Sequence, residues 1–307
     1  MPKFSIIITS YNQKAFIRDA VDSALAQSSP GKEVIVIDDG SKDGSRNVLA
    51  EYGDTIKLKA LESNEGASAA RNWGASLASG NFFVFLDGDD ILLPWALDLY
   101  ARIVELKSPK LILSKMLWFD RSFSPVVTPD TPREIRVVDY EVFMKKDRTY
   151  RVCASAMVVD RETFLSVNGW STDVWPGEDH DFLMRLGYSG RTIQILSPPT
   201  IAYRLHENNS VNQLHFGCLH NLLRRERSGQ YPGGPVHRRE RYGVLGGVMA
   251  YYVRRAFKER LYADGVKLLA ASWPFVLVAL LRRFVAVAHG RHWIETVNMR
   301  AARGENA

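Results

Sequence analysis

The apolar run Asn81-Phe82-Phe83-Val84-Phe85-Leu86 breaks abruptly into Asp87-Gly88-Asp89-Asp90. Six residues of that character, bounded by turn formers, read as a buried strand. Such a strand delivers whatever follows it to the edge of a sheet, where open α/β folds hold their ligands. Three carboxylates within four residues repel one another unless a cation or a donor network sits among them. Oxygen donors favour a hard divalent ion, Mg²⁺ or Mn²⁺, which keeps water and phosphate oxygens as its remaining ligands. A solvated turn would suffice if this stretch stood alone, but three more loops of related chemistry precede it.

Those loops follow from the alternation of short strands and helices. Phe4 to Thr9, Glu33 to Ile37 and Ile56 to Ala60 read as strands. Between and after them, Ala15 to Gln27, Ser45 to Tyr52 and Gly66 to Ala78 show helical spacing. In the first helix Phe16, Ile17, Ala20, Val21, Ala24 and Leu25 share one face. Pro94 to Lys107 is a further helix, with its proline at the tolerated start. Val152 to Val159, Ile193 to Leu196 and Ile201 to Leu205 return to strand character, and Glu178 to Leu186 to helix. Residues 120–135 read as a Pro- and Thr-rich excursion. The alternation predicts an α/β protein with a mostly parallel, Rossmann-like sheet flanked by helices on both faces.

The charge is unevenly placed. Residues 215–307 hold 16 Lys and Arg against 6 Asp and Glu, a net of +10, whereas residues 1–214 hold 24 against 28, a net of −4. The expected division is a body at 1–214 and a basic helical extension at 215–307. Such asymmetry suggests an anionic partner for the tail. No recognition motif supports nucleic acid, so none is expected. Within the tail, Leu268 to Leu281 is free of charge but reads as too short for a spanning helix of ~20 residues. Burial, or lying on an anionic membrane surface through Arg254, Arg255, Lys258, Arg282 and Arg283, are the remaining readings. With only Cys153 and Cys218, a disulfide framework is not expected and a reducing cytosol fits. The expected location is therefore cytoplasmic, with peripheral attachment at the inner membrane face as the tail's contribution; a homodimer stays open.

Four loops converge on one sheet edge: Thr9-Ser10-Tyr11-Asn12, Asp38-Asp39-Gly40-Ser41, Asn64-Glu65-Gly66 with Arg71-Asn72, and Asp87-Gly88-Asp89-Asp90. An aromatic, acceptor carboxylates, a cation and an acidic turn are the parts that hold a nucleoside diphosphate. Tyr11 can face a base, Asp39 can accept from a base N–H, and Arg71 can pair with phosphate or with the neighbouring carboxylates. A calcium loop starting at Asp39 fails because its twelfth position is Ala50, where a bidentate Glu is required. A Gly-x-Gly-x-x-Gly dinucleotide turn is also absent after the first strand. Downstream, Glu178-Asp179-His180-Asp181 opens a helix, where acids either cap the macrodipole or provide a general base. Asn168-Gly169-Trp170 offers a turn and an aromatic for a sugar face. Tyr203-Arg204-Leu205-His206 ends a strand with an imidazole suited to phosphate or metal.

Together these motifs resemble glycosyltransferase family 2. They run in that family's order: Ser5 to Asn12, Val36 to Ser45, Asn64-Glu65-Gly66, Ala70 to Gly74, Leu86 to Asp90, Asn168-Gly169-Trp170, Glu178-Asp179 and Tyr203 to His206. The resemblance covers roughly residues 3–210 and implies a GT-A type fold with a C-terminal helical extension. It further implies an inverting transfer of a sugar from a nucleotide-diphosphate donor to a hydroxyl of a glycan or lipid-linked acceptor, in cell-surface polysaccharide assembly. By the same resemblance Thr9, Tyr11, Asp38, Asp39, Arg71, Asp87 and Gly88 would contact the donor. Asp89 and His206 would hold Mg²⁺ or Mn²⁺, Trp170 and Glu178 would face the acceptor, and Asp179 would be the catalytic base. Two other functions compete. A nucleotidyltransferase would need a Gly- and Lys-rich triphosphate loop after the first strand, which is missing. A non-catalytic carbohydrate-binding scaffold would not need every acidic motif.

Overall fold

A computed structural model describes residues 3–28, 31–120, 134–141, 143–145, 153–174, 177–207, 209, 216–288 and 294–298. For 216–218, 283–288 and 294–298 only the backbone is described, so the Arg283 and Cys218 side chains lie outside it, as does most of the excursion expected at 120–135. The elements are β1 (Phe4–Ser10), α1 (Ile17–Leu25), β2 (Lys32–Asp38), α2 (Ser45–Ala50), β3 (Lys57–Ala60), α3 (Ala67–Leu77), β4 (Phe82–Asp87) and β5 (Ile91–Leu92). There follow α4 (Ala96–Lys107), β6 (Leu111–Leu113), β7 (Met116–Phe119), β8 (Glu134–Tyr140), β9 (Met157–Asp160), α5 (Arg161–Ser166) and α6 (Glu178–Leu186). Last come β10 (Thr192–Ser197), β11 (Ile201–Arg204), α7 (Phe216–Arg227), α8 (Arg238–Lys258), α9 (Tyr262–Ala288) and β12 (Ile294–Asn298).

The main sheet has nine strands in the order β12-β8-β10-β6-β9-β4-β1-β2-β3. The pairings make β8 and β9 run against the other seven, so the sheet is mostly parallel, as the alternation predicts. β1 shows why helices must cover both faces. All seven of its residues are buried. Side chains alternate across a strand, so Ile6 and Ile8 enter one core with α1, Leu49 of α2 and α4. Ile7 enters the other, with α3, α5, α6 and the buried faces of α7, α8 and α9. The basic extension thus shares the body's core and returns as β12 on the edge of its sheet.

The order β4-β1-β2 makes a topological switch: the chain goes from β1 outward to β2 and β3, then crosses back to lay β4 on the other side of β1. At such a point the loops diverge and open a crevice at the strands' carboxyl ends. Register fixes what lines it. Ser10 pairs with Asp38 and Thr9 with Asp87, so the two acidic turns flank the loop after β1. α3 lies close over this end because Gly74 has no side chain: a Cβ there would stand 2.2 Å from Ile7 Cγ2. A second sheet, β5-β11-β7, sits beside the crevice.

At the opposite end, Glu33 ties three segments together. Its carboxylate accepts from Ser5 Oγ at 2.6 Å, from Ser79 N at 2.6 Å and from Lys57 Nζ at 2.6 Å. Burial opposes the charge, but the Lys57 and Ser5 bonds and those from Ser79 outweigh it and bring its pKa from 4.5 to about 2. A carboxylate depressed in the folded state contributes stability that is present above its unfolded pKa and lost as pH falls through the folded one. We expect part of the acid loss of stability between pH 4.5 and about 2 to come from Glu33. Glu33→Gln should lower stability at neutral pH and flatten the denaturation midpoint across that window; an unchanged acid slope would remove Glu33 from this role.

Candidate active site

The acidic turn after β4 is held tightly. Gly88 N donates to Thr9 O at 2.9 Å and Asp90 N to Asp87 O at 3.0 Å. A Cβ on Gly88 would meet Gln13 Oε1 at 2.2 Å and Thr9 O at 2.9 Å, so only glycine lets the turn sit this close to β1. Asp87 N donates to Ser155 Oγ at 3.0 Å. Asp90 is buried. Burial and the charges of Asp89 and Asp87 push its carboxyl well above the usual carboxylate range. Its Oδ1 accepts from Arg204 N at 3.1 Å.

β5 follows this turn and pairs antiparallel with β11, Leu92 opposite Ile201 and Ile91 opposite Ala202. The next residues of β11 therefore climb back beside the acids. His206 Nε2 lies 2.8 Å from Asp89 Oδ2, with its ring against Phe16 at 4.8 Å. Arg204 stands behind them, donating to Asp89 O at 2.9 Å and to Asp19 at 2.7 Å.

Arg71 is the centre of the crevice. It is only 4% exposed. It donates to Asp87 Oδ1 at 2.8 Å and to Glu178 Oε1 at 3.4 Å, and its guanidinium lies 4.9 Å over the Trp170 ring. Burial opposes its charge, but the charges of Asp87, Glu178 and Asp179 raise its pKa. The carboxyl end of β4 and the acidic start of α6 therefore share one cleft. Asp179 Oδ1 is buried there without a hydrogen-bond partner among the described residues, as are Asp90 Oδ2, Ser10 Oγ and Arg71 Nε. Native interiors leave few such atoms unsatisfied. Burial and the Glu178 charge push the Asp179 carboxyl up, with Arg71 opposing.

On the other flank, Asp39 is buried and accepts from Glu65 N at 2.7 Å and Gly66 N at 2.9 Å. Burial moves its carboxyl upward against those two bonds. Each oxygen keeps a second lone pair for another donor. Tyr11, in the neighbouring loop after β1, is 47% exposed. Thr9 Oγ1 lies 3.5 Å from Asp87 Oδ1.

One expected role changes. Trp170 is 2% exposed and stacked on Phe182 at 4.1 Å, so it floors the cleft beneath Arg71 and has no free face for a sugar. Asp38 is fully buried; its Oδ1 accepts from Ser41 N at 3.0 Å and Arg46 Nε at 2.7 Å, while its Oδ2 has no hydrogen-bond partner among the described residues. Glu178 faces Arg71 and its own Gly177 N at 2.9 Å. Sequence reasoning missed the brace under α6. The buried Asp181 carboxylate receives Ser171 Oγ at 2.7 Å, Arg185 Nε at 2.9 Å, Arg225 Nη1 at 2.8 Å and Tyr231 OH at 3.0 Å. Arg225 and Tyr231 come from the basic extension, and no local pattern marks them.

Among the described residues no group of three or more His, Cys, Asp or Glu side chains surrounds one metal point. Asp89 Oδ2 and His206 Nε2 lie 2.8 Å apart; the carboxylate is the kind of ligand Mg²⁺ and Mn²⁺ take, with phosphate and water as the rest, and the imidazole is a less usual one.

A mostly parallel sheet with an Asp-x-Asp turn, a second buried carboxylate after β2 and an acid-headed helix around one cleft is a GT-A type fold. The family model described as "Glycosyl transferase family 2" matches residues 5–108. It is 31% identical over 188 residues to an uncharacterized glycosyltransferase of Haemophilus influenzae, covering 59% of this chain and 61% of that one. It is 44% identical over 92 residues to the putative teichuronic acid biosynthesis glycosyltransferase TuaG of Bacillus subtilis, covering 29% and 36%. The chain thus spans less than two thirds of the length of these relatives. The crystal structure of S. aureus TarS in complex with UDP-GlcNAc shares the fold with a TM-score of 0.68 at 17% identity, over 90% of this chain and 81% of that one.

Proposed function

We propose that the chain is an inverting glycosyltransferase that moves a sugar from a nucleotide-diphosphate donor to a hydroxyl of a glycan or lipid-linked acceptor in cell-surface polymer assembly. The observation that carries this reading is the Arg71 bridge, which joins Asp87 at the end of β4 to Glu178 beside Asp179. TarS crystallised with UDP-GlcNAc and with UDP supports a uridine nucleotide sugar as the first donor to try. TuaG's teichuronic acid context supports a polymer of the cell surface.

In this reading Tyr11 and Asp39 receive the base, and Asp87 the ribose side. Asp89 and His206 would hold Mg²⁺ or Mn²⁺, which when bound offsets the charge of the departing diphosphate. Asp179 takes the proton of the acceptor hydroxyl as its oxygen attacks the anomeric carbon. The bond from that carbon to the diphosphate oxygen breaks with its electron pair leaving on the diphosphate, beside the Arg71 cation. A carboxylate whose pKa is raised is a stronger base than an ordinary one, provided it is ionised at working pH. The rate should therefore fall on the acid side with a midpoint above the usual carboxylate range.

The test is to incubate the full chain with Mn²⁺ and a panel of nucleotide sugars, following nucleotide release with and without glycan or glycolipid acceptors. Transfer with inversion at the anomeric carbon is expected, and product of retained configuration would overturn the mechanism. Asp89→Asn should cut the rate about 100-fold or more and weaken Mn²⁺-dependent nucleotide binding. Equal binding with and without Mn²⁺ in both proteins would remove the metal from the scheme.

A further inference from the structure

α9 is 27 residues long, and an 18-residue window within its segment Tyr262–Arg282 has a mean hydropathy of 1.6. By length and composition that segment could cross a membrane, although the charge-free run Leu268 to Leu281 within it is itself short of a span. Its packing commits one side to this protein. Leu268, Ser272, Phe275 and Ala279 are buried along one side of α9. Phe275 stacks on Tyr242 of α8 at 4.1 Å. Gly246 lets the two helices touch, since a Cβ there would stand 1.8 Å from Phe275 O. Arg282 Nη1 donates to Glu240 O at 3.0 Å. One side of α9 is thus committed to its own protein.

The opposite side of α9 is exposed and apolar. Tyr262, Val266, Leu269, Trp273, Leu277 and Leu280 recur at spacings of three and four, with Trp273 59% exposed at the middle. The stripe runs roughly 27 Å at the α-helical rise. Asp264 and Lys267 flank its first turns, and no charge follows from Leu268 to Leu281. Continuous apolar faces of this size mark interaction surfaces. At the α8–α9 turn the exposed Phe257 and Leu261 extend the stripe, and Arg254, Lys258 and Arg260 are exposed around them. Residues 238–288 carry ten Lys and Arg against three Asp and Glu. A second copy of the same surface would bring like charges together, whereas an anionic headgroup layer complements them.

We propose that the exposed stripe of α9, with the cations of the α8–α9 turn, lies in the plane of an anionic lipid surface as a monotopic attachment. Apolar side chains on such a helix enter the headgroup–acyl boundary, and each nearby Lys or Arg adds attraction that salt weakens. The attachment would hold the cleft at the layer from which a lipid-linked acceptor is drawn. It does not depend on the donor chemistry.

The experiment is flotation of the full chain with vesicles of phosphatidylcholine, alone or mixed with phosphatidylglycerol, at low and physiological salt. The chain should float with the anionic vesicles, less at higher salt, and at least tenfold less with neutral ones. The double variant Trp273→Glu, Leu277→Glu changes only exposed positions. It should reduce vesicle binding at least tenfold while its thermal midpoint and nucleotide binding stay as in the parent. Brominated lipid should quench the parent's tryptophan emission more than that of the single variant Trp273→Phe. No flotation in any condition overturns the proposal, as does equal flotation of the double variant. So does a dimer, seen by light scattering without lipid, that the double variant dissolves, because the stripe would then belong to a second copy.

Discussion

Replacing Asp179 with Asn is expected to lower sugar transfer by about 100- to 10,000-fold, the range a positioned general base supplies. Asn keeps the shape of the side chain but cannot take a proton at neutral pH. The ground state should change little, because the donor-side groups Asp39, Asp87 and Asp89 lie on other elements. Binding of a nucleoside diphosphate with Mn²⁺, read by thermal shift, should stay within about twofold. The loss should fall on kcat and not on the donor KM, which separates a chemical role from a collapsed cleft. Transfer at the parent rate would remove Asp179 from the mechanism. Transfer and nucleotide binding lost together would make it a structural acid of α6. A carboxylate close to Glu178 and Asp87 also costs folding free energy when ionised, so the Asn variant should unfold at or above the parent's temperature at neutral pH. The sign follows from the raised pKa: the contribution of Asp179 is full below the ordinary carboxylate range and is lost as pH rises through the folded value.

Arg71→Met should have the largest effect on the fold. The guanidinium is buried between Asp87 and Glu178 and lies over Trp170. Methionine keeps the volume and apolar stem but leaves two carboxylates facing one another with no cation between them. Removing one member of a buried ion pair typically costs about 3–5 kcal/mol, mainly because the remaining charge is stranded. Asp87 retains some contact with solvent, so the lower part of that range is expected. Urea denaturation gives the measurement. A change within about 0.5 kcal/mol, the size of an ordinary surface substitution, would show that water enters the cleft and that the bridge matters little. Arg71→Lys should recover charge but not the two-sided contact, since an ammonium is a point charge and not a planar fork. Its stability should fall between the other two. Adding Glu178→Gln to Arg71→Met should restore part of the loss, which a merely steric effect of Met would not allow.

Much of this arrangement is legible without coordinates, and the reason is locality. The alternation across β1 and β4, the spacing in α1 and the turn chemistry of Asp38 to Ser41 and Asp87 to Asp90 depend on residues a few positions apart. Their order along the chain then implies a mostly parallel sheet with the acidic turns at its carboxyl edge, and register places Thr9 against Asp87 and Ser10 against Asp38. β8, antiparallel in the half-sheet far from the cleft, and β12 on its edge left no such trace, because short strands paired at long range have only weak local preference.

Contacts between distant residues are another matter. Arg71 reaches Glu178 across 107 positions, and His206 reaches Asp89 across 117. Arg225 braces Asp181 from an extension whose sequence showed only an excess of charge. The aromatic character of Trp170 suited either a sugar or a core, and stacking on Phe182 decided for the core. The uncharged run in α9 suited a buried helix or a surface helix, and packing against α8 made it one on each side. Sequence by itself determined which chemical groups this chain brings to a sheet edge and in what order, because strand and turn preferences act over a few residues. Tertiary structure alone decided which of those groups meet, which are sealed from solvent and which face of a helix stays open, because burial and charge pairing are properties of neighbours in space.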